Sequence, residues 1–277
     1  MGTGIFASLW MVGMLRSMAP LASVAPLAAD TPAVRMDAAE LTRRLAGASE
    51  TAPPDLSGVN LSGLDLTGVD FKRANLTGAR LDGTRLAGAN LFSCDLTDAV
   101  ASDAVLTKAN MDGTVLRGAD FQRADMEEAS LFATILERTN LAGANLAGTR
   151  IIGYLRSANL AGASLRNSNA GADPGNQSMG VMRATFVGAD LTGADLSGAN
   201  LYKADFSHAT LTGAKLRGAN LENADLVQTD FSKADLTGAR LANSNIEGAN
   251  FRAATGISRT QGLDQARNRD KAIFDDS

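Results

Sequence analysis

The sequence predicts an all-β solenoid of short parallel strands, and three observations carry that prediction. A large apolar residue returns at every fifth position from Leu56 to Ile151, where only Ala101 is small, and again from Phe186 to Phe251 without a break. Two residues before most of these centres the side chain is small, as at Ala74, Ala79, Thr84, Ala89 and Cys94. Between the two stands Asp or Asn in most repeats, as at Asp70, Asn75, Asn90, Asp190, Asp195 and Asn200.

A five-residue step turns an α-helix by roughly 140°, so the leucines would spiral around it and form no face. A long strand needs sustained alternation, but here alternation lasts three residues, in, out, in, before two others reset it. The chain must therefore turn every five residues. With four sides a coil closes after roughly twenty residues and stacks on the next at about 4.8 Å. Each side sends two residues inward, so a leucine centre requires a partner of nearly alanine size if the interior is to reach crystal-like density. Asp and Asn lie beside a turn, where their side chains can bond the backbone N–H two residues on. Glycine two after the centre, as at Gly58, Gly63, Gly68 and Gly188, suits a corner with positive φ. The stack needs no cofactor for stability.

These residues resemble the pentapeptide-repeat family, whose consensus is close to A(D/N)LxG. The stretch ADLTGADLSGANLYKADF, Ala189 to Phe206, carries the likeness most clearly, and it extends over about residues 55 to 255. The resemblance implies a right-handed quadrilateral parallel β-helix. It implies little about activity, since most members have none known.

The element order follows. Residues 1–29 read as a signal peptide: Gly4 to Leu15 is apolar, and small residues permit cleavage after Ala25 or Ala29. Neither cut is ideal, because Pro26 would follow the first and Leu27 is bulky for the second. The first basic residue, Arg16, comes after the apolar run, although a start at Met11 or Met14 would place it in the positive region. An uncleaved anchor and a cytoplasmic product are the alternatives. Residues 30–54 form a linker and a capping helix, with Asp37 and Glu40 at its start, Leu41 and Leu45 on one face and Gly47 as the stop. Residues 55–255 form the β-helix. After Ile151 the next centre is Leu155, so one corner residue is lost, and a loop is inserted at 171–182. Residues 256–277 depart from the repeat and predict a cap made of a charged helix or an extended tail, which protects the open end of the solenoid.

No catalytic, cofactor or metal residue is expected. The single histidine, His208, falls at an outward corner, and the single cysteine, Cys94, in an inward small-residue slot. Expected partner contacts are Phe92 and Phe132, forty residues apart and so on one face, with Asp112 between, and Asp173, Pro174 and Asn176 of the loop. The expected function is a non-enzymatic, exported scaffold for protein–protein contact in the cell envelope. Its membrane contact is confined to the N-terminal segment, and two copies could meet at an end of the solenoid. The resemblance supplies a rival. The best-known pentapeptide-repeat proteins confer quinolone resistance as rod-shaped mimics of duplex DNA that bind DNA gyrase, in the cytoplasm. Mimicry asks for a strongly negative rod, one charge per roughly 1.7 Å. Here 30 acids face 26 bases, a net charge of −4, and Lys72, Arg73, Arg80, Arg85, Arg117 and Arg123 interrupt the acids. A rod of about nine coils, on the order of 45 Å, would need far more. Direct binding of nucleic acid is not expected either.

Overall fold

The computed structural model describes residues 35–49, 51–172 and 182–275. The signal segment expected at 1–29 and Asp173, Pro174 and Asn176 of the loop lie outside the described residues.

The chain winds into four-sided coils, and each side pairs in parallel with the same side one coil on. Four columns of outward residues result. Side I runs Asp55, Asn75, Asp95, Val115, Ile135, Tyr154, Thr185, Asp205, Asp225, Asn245 and Arg267. Sides II, III and IV begin at Asn60, Asp65 and Asp70. Around each outward residue the backbone bonds both neighbouring coils: the Asn75 N–H donates to Pro54 O at 3.0 Å, and the Leu76 N–H to Asp95 O at 2.7 Å. Each corner is a four-residue turn, closed at Ala74 by its N–H donating to Phe71 O at 2.9 Å. A side of this length leaves room for one bridge, so among the described residues extended strands occur only at β1 (Ser130–Ile135) and β2 (Arg150–Tyr154), which pair in parallel.

The centres and their small partners are buried along the rod. Hydroxyls in the small slot bond carbonyls inside the wall, Thr84 to Leu61 O at 3.1 Å and Thr139 to Leu116 O at 2.7 Å, which removes the cost of burying them. Ser168 is the described exception: its buried Oγ has no protein partner. Ala101, the weak centre, is buried between the levels of Leu81 and Phe121, so a methyl group on one level adjoins a phenyl ring on the next. Phe186 and Phe206 stack at 4.5 Å, and Phe231 and Phe251 at 5.1 Å.

The two breaks in the period have defined geometry. Asn159 bonds Asn140 across 19 residues where regular neighbours are 20 apart, so the coil between them is one short. The missing residue belongs to the corner at Ile152 and Gly153: Phe132 pairs with Ile152, Thr134 with Gly153, and Ala133 is bulged out between them. A Cβ on Gly153 would lie 2.4 Å from Thr134 O, so glycine is required by close approach. In the next coil the spacing widens to 31, from Asn169 to Asn200, and the extra length is inserted between sides IV and I. Ala172 still belongs to the wall, its N–H bonding Tyr202 O at 2.8 Å.

Both ends are covered. Residues Ala38–Ala46 form α1, with Asp37 Oδ1 accepting the Glu40 N–H at 2.8 Å and Leu41 and Leu45 buried with Met36 on the first coil. At the other end the described residues form neither the charged helix nor the extended tail that the sequence predicts, although they do cap the rod. Residues 255–273 make one further, wider coil with six-residue sides, Thr255, Gln261, Arg267 and Ile273 bridging to Asp235, Arg240, Asn245 and Asn250. The extra residue of each side is taken up in a 3-10 turn, at Ile257–Arg259, Leu263–Gln265 and Arg269–Lys271. Phe274 then stacks on Phe251 at 5.1 Å and continues the aromatic column.

Two outcomes test this packing. Gly153→Ala forces the Thr134 strand outward and is expected to lower stability by about 2–3 kcal/mol, as overpacking does; an unchanged denaturation midpoint would contradict it. Phe274→Ala is expected to destabilise by about 2 kcal/mol through lost burial, measured in the same way.

Candidate interaction edge

The polar pattern of the repeats is largely consumed by the wall. Asp55, Asp65 and Asn75 accept the N–H of Ser57, Thr67 and Thr77 through Oδ1 at 3.0–3.1 Å, fixing each corner. Asparagines also bond between coils, Asn90 to Asp70 and Asn110 to Asn90, both at 3.1 Å. Charges pair across coils in the same way. Arg123 holds Asp103 with two bonds of 2.8 and 2.7 Å, Arg117 meets Glu137 at 3.1 Å, and Lys271 meets Glu247 at 2.7 Å.

The corners divide unequally. The third residue of nearly every turn has positive φ; on the edges between sides II and III and between III and IV it is glycine in most coils, as at Gly63 and Gly68, and on the edge between I and II glycines such as Gly58 share the position with Asp98, Arg138, Ser157, His208 and Gln228. On the edge between sides IV and I it is Arg73, Ser93, Gly113 and Ala133 in the first half, and Lys203, Asn223 and Asn243 in the second. A side chain at such a φ costs on the order of 1 kcal/mol relative to glycine, and on this edge that cost recurs level after level.

The same edge gathers the outward aromatic residues. Phe92, Phe132 and Tyr202 occupy it, and Tyr154 lies beside it on side I above Val115 and Ile135. The other phenylalanines of the repeats, Phe71, Phe121, Phe186, Phe206, Phe231 and Phe251, all point inward. Phe92 is 45% exposed and Tyr154 58%. Phe132 aligns with Phe92 two coils away, with Asp112 between, but it is half-buried, with the Arg150 guanidinium 4.2 Å over its ring. Asp112 is bound into the wall, accepting the Phe132 N–H at 2.9 Å and the Ser130 hydroxyl.

Two open grooves lie on this edge. One, of about 190 Å³, is lined by Asp70, Lys72, Arg73, Asn90 and Phe92. The other, of about 600 Å³, is lined by Arg183, Lys203, Asn223, Asp225, Asn243 and Arg267. Both breaks in the period fall here as well. Sequence reasoning placed Phe92 and Phe132 on one face but missed Tyr154, Tyr202 and the second groove. The signal for them is visible only when the residues are written in rows of twenty with one row of 19 and one of 31.

Cys94 is fully buried, and burial pushes its thiol up to about 12, so it is no nucleophile. His208 is exposed at the corner between sides I and II. Among the described residues no group of His, Cys, Asp and Glu could hold a metal ion, and no helix is long and apolar enough to cross a membrane.

These features define a four-sided parallel β-helix with one decorated edge. Five segments, 55–91, 94–131, 124–153, 182–218 and 214–252, match the sequence profile of pentapeptide repeats, with 8 copies. The chain belongs to the pentapeptide-repeat family, and its fold is that family's right-handed quadrilateral β-helix. HetL from Nostoc sp. strain PCC 7120, a pentapeptide-repeat protein involved in heterocyst differentiation regulation, is 31% identical over 86% of this chain and 99% of its own, with a TM-score of 0.52. QnrB1, a plasmid-mediated fluoroquinolone resistance protein, is 17% identical over 78% of this chain and 89% of its own, with a TM-score of 0.42. A pentapeptide-repeat protein of the Arabidopsis thaliana thylakoid lumen is 35% identical over 40% of this chain and 68% of its own, with a TM-score of 0.24. None of the curated proteins compared matches the chain.

The corner bonds make the fold sensitive to acid. The Thr237 hydroxyl and N–H, with the Arg217 guanidinium, hold Asp235 at about 2 against an ordinary 3.8. Asp55, Asp65 and Asp70 are also lowered, in each case first by a side-chain hydrogen bond, from Ser57, Thr67 and Lys72. A carboxyl lowered by folding stabilises the fold above its ordinary value and loses that contribution as pH falls through the lowered one. The melting temperature is therefore expected to hold at neutral pH and to fall between about pH 4 and 2. A midpoint that stays level down to pH 2 would contradict the role given to these carboxylates.

Proposed function

We propose that the protein is a non-enzymatic scaffold that holds a protein partner along the edge between sides IV and I, and that it works in the cell envelope after export. The observation that carries this reading is the confinement of the outward aromatics to that edge, since exposed rings on a rigid surface anchor partners. The wall fixes their spacing, so binding orders no backbone. Buried Cys94 and the isolated corner position of His208 favour binding over catalysis.

The charge arrangement favours this reading over a DNA-mimicking inhibitor of a type II topoisomerase. Acids of the rod meet bases on neighbouring coils, as in Arg123–Asp103 and Arg240–Glu222, and leave no continuous run of negative charge. Export rests on the composition of residues 1–29.

Affinity capture from envelope extracts is the test. Phe92→Ala combined with Phe132→Ala is expected to weaken retention of the partner by about tenfold or more; unchanged capture would exclude the edge. Fractionation with N-terminal sequencing is expected to find a mature periplasmic chain beginning near Pro26 or Asp30. A full-length cytoplasmic chain that alters supercoiling would replace this reading with the topoisomerase one.

A further inference from the structure

The larger groove is chemically unlike the rest of the rod. On three successive levels Lys203, Asn223 and Asn243 occupy the corner at φ 60°, 59° and 59°. Strand spacing sets them about 4.8 Å apart. On the same levels the edge between sides III and IV has Gly198, Gly218 and Gly238, so these side chains are not demanded by the turn. Elsewhere asparagines serve the wall, as Asn75, Asn90 and Asn250 do through both ends of their amides. The amides of Asn223 and Asn243 do not: among the described residues they bond no protein group and line the groove instead.

Cations surround them. Arg183 spans two coils, donating to Asp225 Oδ2 at 2.7 Å, to Asp205 Oδ2 at 3.2 Å and to Lys203 O at 3.3 Å. Arg267 approaches Asp225 Oδ1 at 3.7 Å, and its Nε donates to Asn243 O at 3.0 Å. Two guanidiniums thus answer two carboxylates. The Lys203 ammonium, 5.2 Å from the centre of the Tyr202 ring, has no carboxylate partner among the described residues and is the excess charge.

We propose that this groove binds an extended, carboxylate-bearing peptide segment lying along the edge. An asparagine amide offers a donor and an acceptor together, which matches the C=O and N–H of a peptide backbone. Lys203 and the outer N–H groups of the two arginines take its carboxylates. A densely charged polyanion fits less well, because Asp205 and Asp225 form part of the wall and the chain as a whole carries −4. A peptide instead spaces its carboxylates between neutral amides, the same mixture that the groove presents. This inference rests on the edge being the interaction surface and adds the chemistry of the partner.

The test uses a fluorescent tetraglutamate peptide with a free C-terminus, titrated by anisotropy against the full chain. It is expected to bind and to lose about tenfold or more in affinity in the Lys203→Gly, Asn223→Gly, Asn243→Gly triple variant. Glycine suits each corner, so the melting temperature of that variant is expected to equal or exceed that of the parent, which separates lost binding from lost fold. Lys203→Gln alone, which keeps the corner's side chain, is expected to weaken binding and flatten its salt dependence. The proposal is overturned if the peptide does not bind the parent chain, if the triple variant binds it equally, or if inorganic phosphate or a single-stranded oligonucleotide occupies the groove more tightly. Phe92→Ala with Phe132→Ala is expected to leave tetraglutamate affinity unchanged. A failure of the peptide test alongside a successful aromatic test therefore rejects the groove and keeps the edge.

Discussion

The structure depends on the volume inside a coil that is four short sides around. Two side chains enter from every side, and they must fill the cross-section without voids or overlap. Beyond the first coil, where Val59, Leu64 and Val69 occupy the slot, a leucine or phenylalanine centre therefore takes alanine, threonine, serine or cysteine as its partner, and hydroxyls such as Thr84 and Thr139 bond the wall. Where a centre fails, the neighbouring level adjusts, as Phe121 does beside Ala101. The same narrowness leaves one outward residue per side and two per corner, so nearly every outward Asp and Asn is drawn into holding the turn.

That constraint explains what was legible in the sequence. The centres, the small slots, the acceptors at Asp55 or Asn75 and the helix opened by Asp37 and Glu40 are local patterns, and each is read within five to ten residues. The C-terminal coil was not legible because its six-residue period passes only a few times, and residues such as Arg267, Arg269 and Lys271 look like one charged face of a helix. Gly256 shows the real demand: a Cβ there would lie 2.6 Å from the Thr237 nitrogen of the coil below. The edge was only half legible. Phe92 and Phe132 share a register and were found; Tyr154 and Tyr202 lie beyond a coil of 19 and a coil of 31, and counting by fives hides their alignment.

The proposed function is accordingly placed in what the wall does not require. Left-handed corners accept glycine at no cost, yet the edge between sides IV and I carries Arg73, Ser93, Ala133, Lys203, Asn223 and Asn243. The edges between sides II and III and between III and IV remain close to the consensus, and many of the rod's charges pair between coils, as Arg123 does with Asp103 and Arg117 with Glu137. A rod whose outward Phe and Tyr rings and non-glycine corners coincide on one edge is suited to holding a partner lengthwise in one orientation.

Oxidative footprinting tests that claim most directly, by comparing side-chain labelling of the protein in its native extract with labelling of the purified chain. The account predicts protection at Phe92, Tyr154 and Tyr202, with labelling of His208 and of the side chains on the other edges unchanged. Protection spread evenly over the four sides, or confined to an end of the rod at Ile273 and Phe274, would contradict it.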